Sequence, residues 1–285
     1  MDVKTFDLIV PIHLVDWRFF SSNLKSWITE LNPKRIYIGC NNSNEGEFDA
    51  IKSFVGGYDV VEFIDQRNIK TLGFQIADLM KRTDGDWFYY CHSDAQLTPF
   101  CSKIMEEYMN DVHVGIIESE RVQYDGRNGS KRTYHNYHYI ERSFSGFQLF
   151  RKEAIENILE IIEDDYIYRN EDIIFQNVCE DNGFKYVKCW AMHIHIPTVN
   201  GNWSPKGEVL EYSEAHKITM DMQIKGIVKY CSPTPITMKA FFAAFGVCRQ
   251  VNGTEMYNFL EQFIRKVDPT WERAIFNQIM VYVPK

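Results

Sequence analysis

Gly85-Asp86-Trp87-Phe88-Tyr89-Tyr90-Cys91-His92-Ser93-Asp94-Ala95-Gln96-Leu97-Thr98-Pro99 is the stretch around which the rest of the chain is organised. It opens on a turn signal and continues as a short apolar and aromatic run. A run of this length between breakers reads as a buried strand of a parallel sheet. Thr98 before Pro99 makes an N-cap and first-turn pair, which predicts a helix over Phe100 to Met109. His92-Ser93-Asp94 therefore falls where a buried strand ends and a helix follows. In open α/β sheets, ligands bind at that carboxyl edge.

Upstream, the same alternation repeats. Phe6 to Ile12 reads as a strand, and Asp16 as the cap of a helix whose buried face carries Trp17, Phe20, Leu24, Trp27, Ile28 and Leu31. Arg35 to Cys40 is a second strand, ending in the turn-rich Asn41-Asn42-Ser43-Asn44-Glu45-Gly46. Glu47 to Phe54 reads as a helix, Tyr58 to Ile64 as a third strand and Thr71 to Lys81 as a further helix. Such an order predicts an α/β fold with a doubly wound sheet and right-handed crossovers.

Downstream, Val112 to Glu118 and Phe144 to Phe150 read as strands, and Lys152 to Ile162 as a helix. Arg121 to Arg142 has little periodicity and reads as an active-site loop or flap. Glu171-Asp172 stands at the head of a helix over Ile173 to Asn182, which Gly183 ends. Phe184 to Ile196 alternates into Pro197, which puts His193 and His195 at the end of a strand. After Trp203 the pattern turns helical: Glu211 to Lys225, Thr237 to Cys248, Glu255 to Lys266 and Trp271 to Met280. The expected division is residues 1–205 as a catalytic domain and 206–285 as a helical C-terminal region.

Composition narrows the function classes. A net charge of −8 argues against a nucleic-acid partner, because no basic stripe replaces phosphate counterions. The 7 cysteines are scattered without a C-x-x-C pair, as expected of reduced thiols in a cytoplasmic protein. No signal peptide and no membrane-length apolar run are evident. The apolar cluster of Phe241, Phe242, Phe245 and Val247 reads as a packed helix, with peripheral contact at a membrane surface as the alternative.

Among the polar residues, Asp94 either reaches a divalent metal that neutralises a diphosphate or caps the turn behind it. Glu171-Asp172 either serves the helix dipole or supplies a general base. His193 and His195 share one face of their strand, and either can ligate a metal through a neutral ring nitrogen. The chain has no Gly-rich phosphate loop, no nucleophile elbow and no metalloprotease helix motif.

Taken in order, these pieces resemble the GT-A fold glycosyltransferases, in particular the family 2-like inverting enzymes, over roughly residues 5 to 200. Leu8-Ile9-Val10-Pro11-Ile12-His13 is similar to their opening strand and donor loop. The run through Gly85-Asp86-Trp87 into His92-Ser93-Asp94 is similar to the strand carrying their D-x-D motif. Phe144-Ser145-Gly146-Phe147 is similar to their acceptor-side strand. Glu171-Asp172 matches their E-D pair, and His193/His195 their late metal-binding histidine.

The chain departs from the pattern in two places. His92 replaces the first acid of D-x-D, and Cys40-Asn41-Asn42-Ser43 replaces an acidic position after the second strand.

The resemblance implies a Rossmann-like, mostly parallel sheet flanked by helices, with a helical C-terminal extension. It implies sugar transfer from a nucleotide diphosphate, UDP-sugar favoured over GDP-sugar, to a glycan, lipid-linked or protein acceptor. Mn²⁺ or Mg²⁺ would be held by Asp94 with His193 or His195. Asp172 would act as base, with Glu171 as its substitute. Pro11, His13, Asn41, Asp65, Arg67, His92, Ser93 and Asp94 would contact the donor, and Ser145, Gly146 and Phe147 the acceptor. A homo-oligomer is left open. The competing functions are a nucleotide-sugar nucleotidyltransferase and an inactive GT-A-like binding domain.

Overall fold

A computed structural model describes residues 5–69, 72–125, 130–133, 146–160, 171–195, 202–203, 209–210 and 229–234. Its first strand is β1, Asp7–Ile12, followed by helix α1, Trp17–Leu31. Asp16 caps α1 by accepting from the Arg18 backbone N–H, as the sequence predicts, and Asn32 ends it in the left-handed region at φ 42°. Next come β2 (Ile36–Cys40), α2 (Glu45–Val55), β3 (Val61–Asp65), α3 (Leu72–Met80) and β4 (Trp87–Cys91).

The second half is less regular. A strand of three residues, β5 (Ala95–Leu97), precedes α4 (Cys101–Glu107), β6 (Val114–Asp125) and β7 (Ser130–Thr133). Then follow β8 (Phe147–Arg151), a 3-10 stretch at Lys152–Glu160, α5 (Glu171–Asp181) and β9 (Lys185–His195).

These strands form one sheet of nine in the order β3-β2-β1-β4-β8-β6-β9-β5, with β7 paired to β6. The first half is parallel, as expected. The second half is mixed. β8 runs antiparallel to β4 and β6, β5 runs antiparallel to β9, and β6 and β9 are parallel.

Alternating side chains feed two cores, one on each face. Leu8, Val10 and Ile12 of β1 join Tyr89 and Cys91 of β4 and the inner faces of α1 and α2. Ile9, Phe88 and Tyr90 join α3 and α5 on the opposite face. Fully burying one such side chain is worth about 1.5–3 kcal/mol. Both faces of β1 and β4 are therefore pinned, and so are the loops at their ends.

Thr98 does not cap a helix. Phe100 occupies the cap position at φ 67°, and Thr98 instead donates its hydroxyl to the Met192 carbonyl at 2.6 Å. The pairing of β5 with β9 outweighs the local cap signal. The aperiodic segment from Arg121 contributes two antiparallel strand pieces, with Val122 opposite Thr133 and Asp125 opposite Ser130. The rest of that flap, residues 126–129 and 134–142, lies outside the described residues. So do the expected C-terminal helices, which leaves the 206–285 division as an expectation. Of that region, Cys231 packs into the core shared by α3 and α5. Among the described residues, no helix is long and apolar enough to cross a membrane.

Candidate active site

The strand order reverses between β1, which continues to β2 and β3, and β4, which continues to β8. A reversal of this kind opens a crevice at the carboxyl ends of the two strands. Here it opens at His13 and His92.

The loop after β4 is held from below by α1. Asn23 Nδ2 donates to the Ser93 carbonyl at 3.0 Å, and Trp27 Nε1 to the Ala95 carbonyl at 2.7 Å. Ser26 Oγ accepts from the Leu97 backbone N–H at 3.0 Å. The His92 N–H donates to the Gly146 carbonyl at 2.7 Å. Gly146 has φ +63°, and a Cβ there would stand 3.1 Å from His92 Nδ1. Only glycine meets both the backbone and the space requirement at that position.

The antiparallel pairing of β5 with β9 sets Ala95 opposite His195 and Leu97 opposite His193. It brings His195 Nε2 to 3.0 Å from Asp94 Oδ2, while His92 Nδ1 lies 4.0 Å from Asp94 Oδ1. One ligand atom from each of His92, Asp94 and His195 lies within 4.8 Å of the others. Two ligands of one ion at bond lengths near 2.1 Å stand at most about 4.2 Å apart.

Asp94 Oδ1 is buried with no hydrogen-bond partner among the described residues. An orphaned carboxylate oxygen between two imidazoles fits a cation. Burial alone would raise the Asp94 pKa, but His195, His92 and Arg121 together hold it below the usual carboxylate value. Burial pushes His92 down to about 4, so its ring is neutral at pH 7 and has a nitrogen lone pair to offer.

The two histidines of β9 do different things. Ser119 Oγ donates its proton to the Phe147 carbonyl at 2.9 Å, so His193 Nδ1–H must donate to Ser119 Oγ at 2.8 Å. That leaves His193 Nε2 unprotonated, fully buried and without a partner among the described residues. His193 is not one of the three clustered ligands. Arg121 Nη2 reaches His195 Nδ1 at 3.0 Å, so His195 carries its proton on Nε2 and donates it to Asp94. The sequence signals neither contact: Arg121 opens the aperiodic segment, and nothing local to Arg121 or Ser119 points to its neighbour in β9.

At the exits of β1 to β3, the expected donor contacts are engaged with one another. His13 Nδ1 donates to Asn41 Oδ1 at 2.8 Å, and Asn41 Nδ2 donates to the Ile69 carbonyl at 3.1 Å. Arg67 closes on Asp65 at 2.6 Å and lies 4.0 Å over the Phe48 ring. Pro11 is buried inside β1 opposite Gly39. Buried Gln75, which the sequence did not single out, ties the strand ends together by donating to the Gly39 carbonyl at 2.9 Å.

Of the expected acceptor contacts, Ser145 lies outside the described residues. Phe147 is fully buried, stacked on Tyr89 at 5.4 Å and edge-on to His193. Its ring has no surface to offer an acceptor and instead packs beneath the cluster. Glu171 and Asp172 open α5, which Ile174, Phe175 and Val178 anchor in the core.

No family model matches the chain, and no curated protein sequence matches it. Solved structures do. S. aureus TarS 1-349 in complex with UDP-GlcNAc is 12% identical, with a TM-score of 0.59 over 95% of this chain and 83% of that one. A mannosyltransferase from Pyrobaculum calidifontis, in complex with GDP-Man and Mn²⁺, is 10% identical. Its TM-score is 0.58 over 99% of this chain and 82% of that one. The chain has the GT-A-type glycosyltransferase fold. Within that fold, the cluster after β4 stands where the D-x-D resemblance expects a metal, with an imidazole in place of the first acid.

Proposed function

We propose that the chain transfers a sugar from a nucleoside-diphosphate donor to an acceptor hydroxyl, with inversion at the anomeric carbon. The observation that carries this reading is the convergence of His92, Asp94 and His195 at the switch point of a GT-A-type sheet. Two similar structures hold UDP-GlcNAc and GDP-Man with Mn²⁺, which supports a nucleotide sugar and a divalent ion as the ligands here.

Asp94, His195 and His92 would hold the ion, which when bound neutralises the charge growing on the departing nucleoside diphosphate. Everything else falls to the chain. Asn23, Ser26 and Trp27 fix the loop that aims Asp94, and Arg121 holds the His195 ring until its Nε2 takes up the ion. His13 and Asn41 line the crevice beside β1, where the base and ribose of the donor are placed. Asp172 takes the proton from the acceptor hydroxyl at the head of α5, and Glu171 orients that hydroxyl. The acceptor is a glycan, a lipid-linked sugar or a protein, and residues 206–285 are assigned to docking it.

The test is release of nucleoside diphosphate from a panel of UDP- and GDP-sugars, with and without Mn²⁺ and with hydroxyl acceptors. One donor should be turned over with the ion and spared without it. No release from any donor with any divalent ion overturns the reading. Asp172→Asn should lower turnover by ~10²–10⁴-fold, the usual contribution of a positioned base, with donor affinity unchanged. Near-normal turnover in that variant removes Asp172 from the mechanism.

A further inference from the structure

The donor set at the cluster differs in kind from a pair of carboxylates. We propose that His92, Asp94 and His195 form a two-imidazole, one-carboxylate centre that selects first-row transition ions over Mg²⁺, with Co²⁺ and Zn²⁺ bound more tightly than Mn²⁺. This deepens the reading of the cluster as the metal-holding part of a sugar-transfer site and rests on it. Mg²⁺ demands oxygen ligands in near-ideal octahedral geometry and gives up its water reluctantly. Imidazole nitrogen favours the later first-row ions, whose affinities rise from Mn²⁺ through Co²⁺.

The geometry limits the alternatives. The Asp94 carboxylate lies between the two rings at 3.0 Å and 4.0 Å, so both present a ring nitrogen to the position where Asp94 would hold an ion. Among the described residues, no other group of three or more His, Cys, Asp or Glu side chains gathers into a potential metal site. The His92 ring packs against the Gly146 turn, where a Cβ would stand only 3.1 Å from Nδ1, and makes edge contact with Tyr90 at 5.3 Å.

Charge has a consequence as well. A divalent ion on one carboxylate keeps a net positive charge, whereas one held by two carboxylates keeps none. The centre thus presents more charge to a diphosphate than a two-acid site does. Ligation through His195 Nε2 also moves the ring proton to Nδ1, where Arg121 now donates, and so releases Arg121 from His195.

The test is direct metal binding by the whole chain without any nucleotide sugar. Calorimetry with Mg²⁺, Mn²⁺, Co²⁺ and Zn²⁺ should give affinities rising in that order up to Co²⁺, with Mn²⁺ at least about tenfold tighter than Mg²⁺. Bound Co²⁺ should show a visible absorption band that changes in His92→Asp. That variant should also narrow the ratio of Mn²⁺ to Mg²⁺ affinity by about tenfold. His92→Gln, which keeps the polarity and approximate size, serves as the folding control and should weaken every transition ion. Equal Mg²⁺ and Mn²⁺ affinities in the wild type, an unchanged ratio in His92→Asp, or no divalent binding at all overturns the proposal. Selective metal binding without turnover of any donor keeps the metal assignment and removes the sugar-transfer reading. Transfer supported equally by Mg²⁺ keeps that reading and removes the selectivity.

Discussion

The carboxyl edge of the sheet has two polar corners, and they are wired in opposite ways. At the exits of β1, β2 and β3, His13 is bonded to Asn41, and Arg67 is clamped on Asp65. The buried atoms left there without partners among the described residues, Asn42 Nδ2 and Gln66 Oε1, belong to neutral amides. At the exit of β4, an oxygen of the Asp94 carboxylate has no partner among the described residues, between two histidines and near an arginine. Leaving a buried polar group unpaired costs about 1–3 kcal/mol, and more when it is charged. The first corner is organised as a scaffold. The second is organised to receive something.

The widest separation of the two corners is expected from Asp94→Asn, which removes the charge and keeps the shape. Metal-stimulated transfer should fall on the order of 10³-fold, since an ion at such a site supplies several kcal/mol. Assays of turnover against ion concentration would show it, and a variant within a few-fold of wild type would move the centre elsewhere.

Acid sharpens the same contrast. His92 and His193 are held neutral by burial, with folded pKa values below 6.5, while the unfolded chain takes up protons near that value. Their contribution to stability is therefore complete above pH 6.5 and is lost as pH falls through 6.5 toward 4. Thermal melts in metal-free buffer should drop between pH 7 and pH 5. A flat melting temperature across that window contradicts the assigned neutral state.

Gly146→Ala attacks the second corner through its backbone. The left-handed φ alone should cost about 1–2 kcal/mol in urea denaturation, and the new methyl, 3.1 Å from Nδ1, should shift the His92 ring. An unchanged midpoint with an unchanged Co²⁺ spectrum would count against the close packing there. His13→Ala acts on the first corner and should do least. Losing its bond to Asn41 is worth about 0.5–1.5 kcal/mol, a few-fold in donor affinity with no change in metal response. A lost metal response in His13→Ala would mean the corners are not separate.

How far the sequence could be read follows from which contacts are local. From β1 to β4, each strand is an apolar run closed by its own turn or cap, so order and sheet class are visible in the residues themselves. β5 is not visible, because three residues become a strand only by pairing with β9 across some hundred positions of chain. That same pairing overrode the Thr98-Pro99 signal. The period of two puts His193 and His195 on one face and goes no further. What divides them is long-range: His195 meets Asp94, while His193 meets Ser119 and Phe147. In the sequence His92 reads as a missing acid; in the structure its Nδ1 lies 4.0 Å from Asp94 Oδ1, in the one group of His, Cys, Asp or Glu side chains among the described residues spaced to hold a metal.

The most direct test of the account is a calorimetric titration of UDP and GDP into the chain, with and without Mn²⁺, repeated on Asp94→Asn. One nucleotide should bind at least about tenfold more tightly with the ion in the wild type, and the variant should lose that gain, as expected if Asp94 helps to hold the ion that neutralises the diphosphate. Nucleotide affinity that ignores Mn²⁺, or a gain that survives in Asp94→Asn, would contradict the claim that this corner holds the donor's diphosphate.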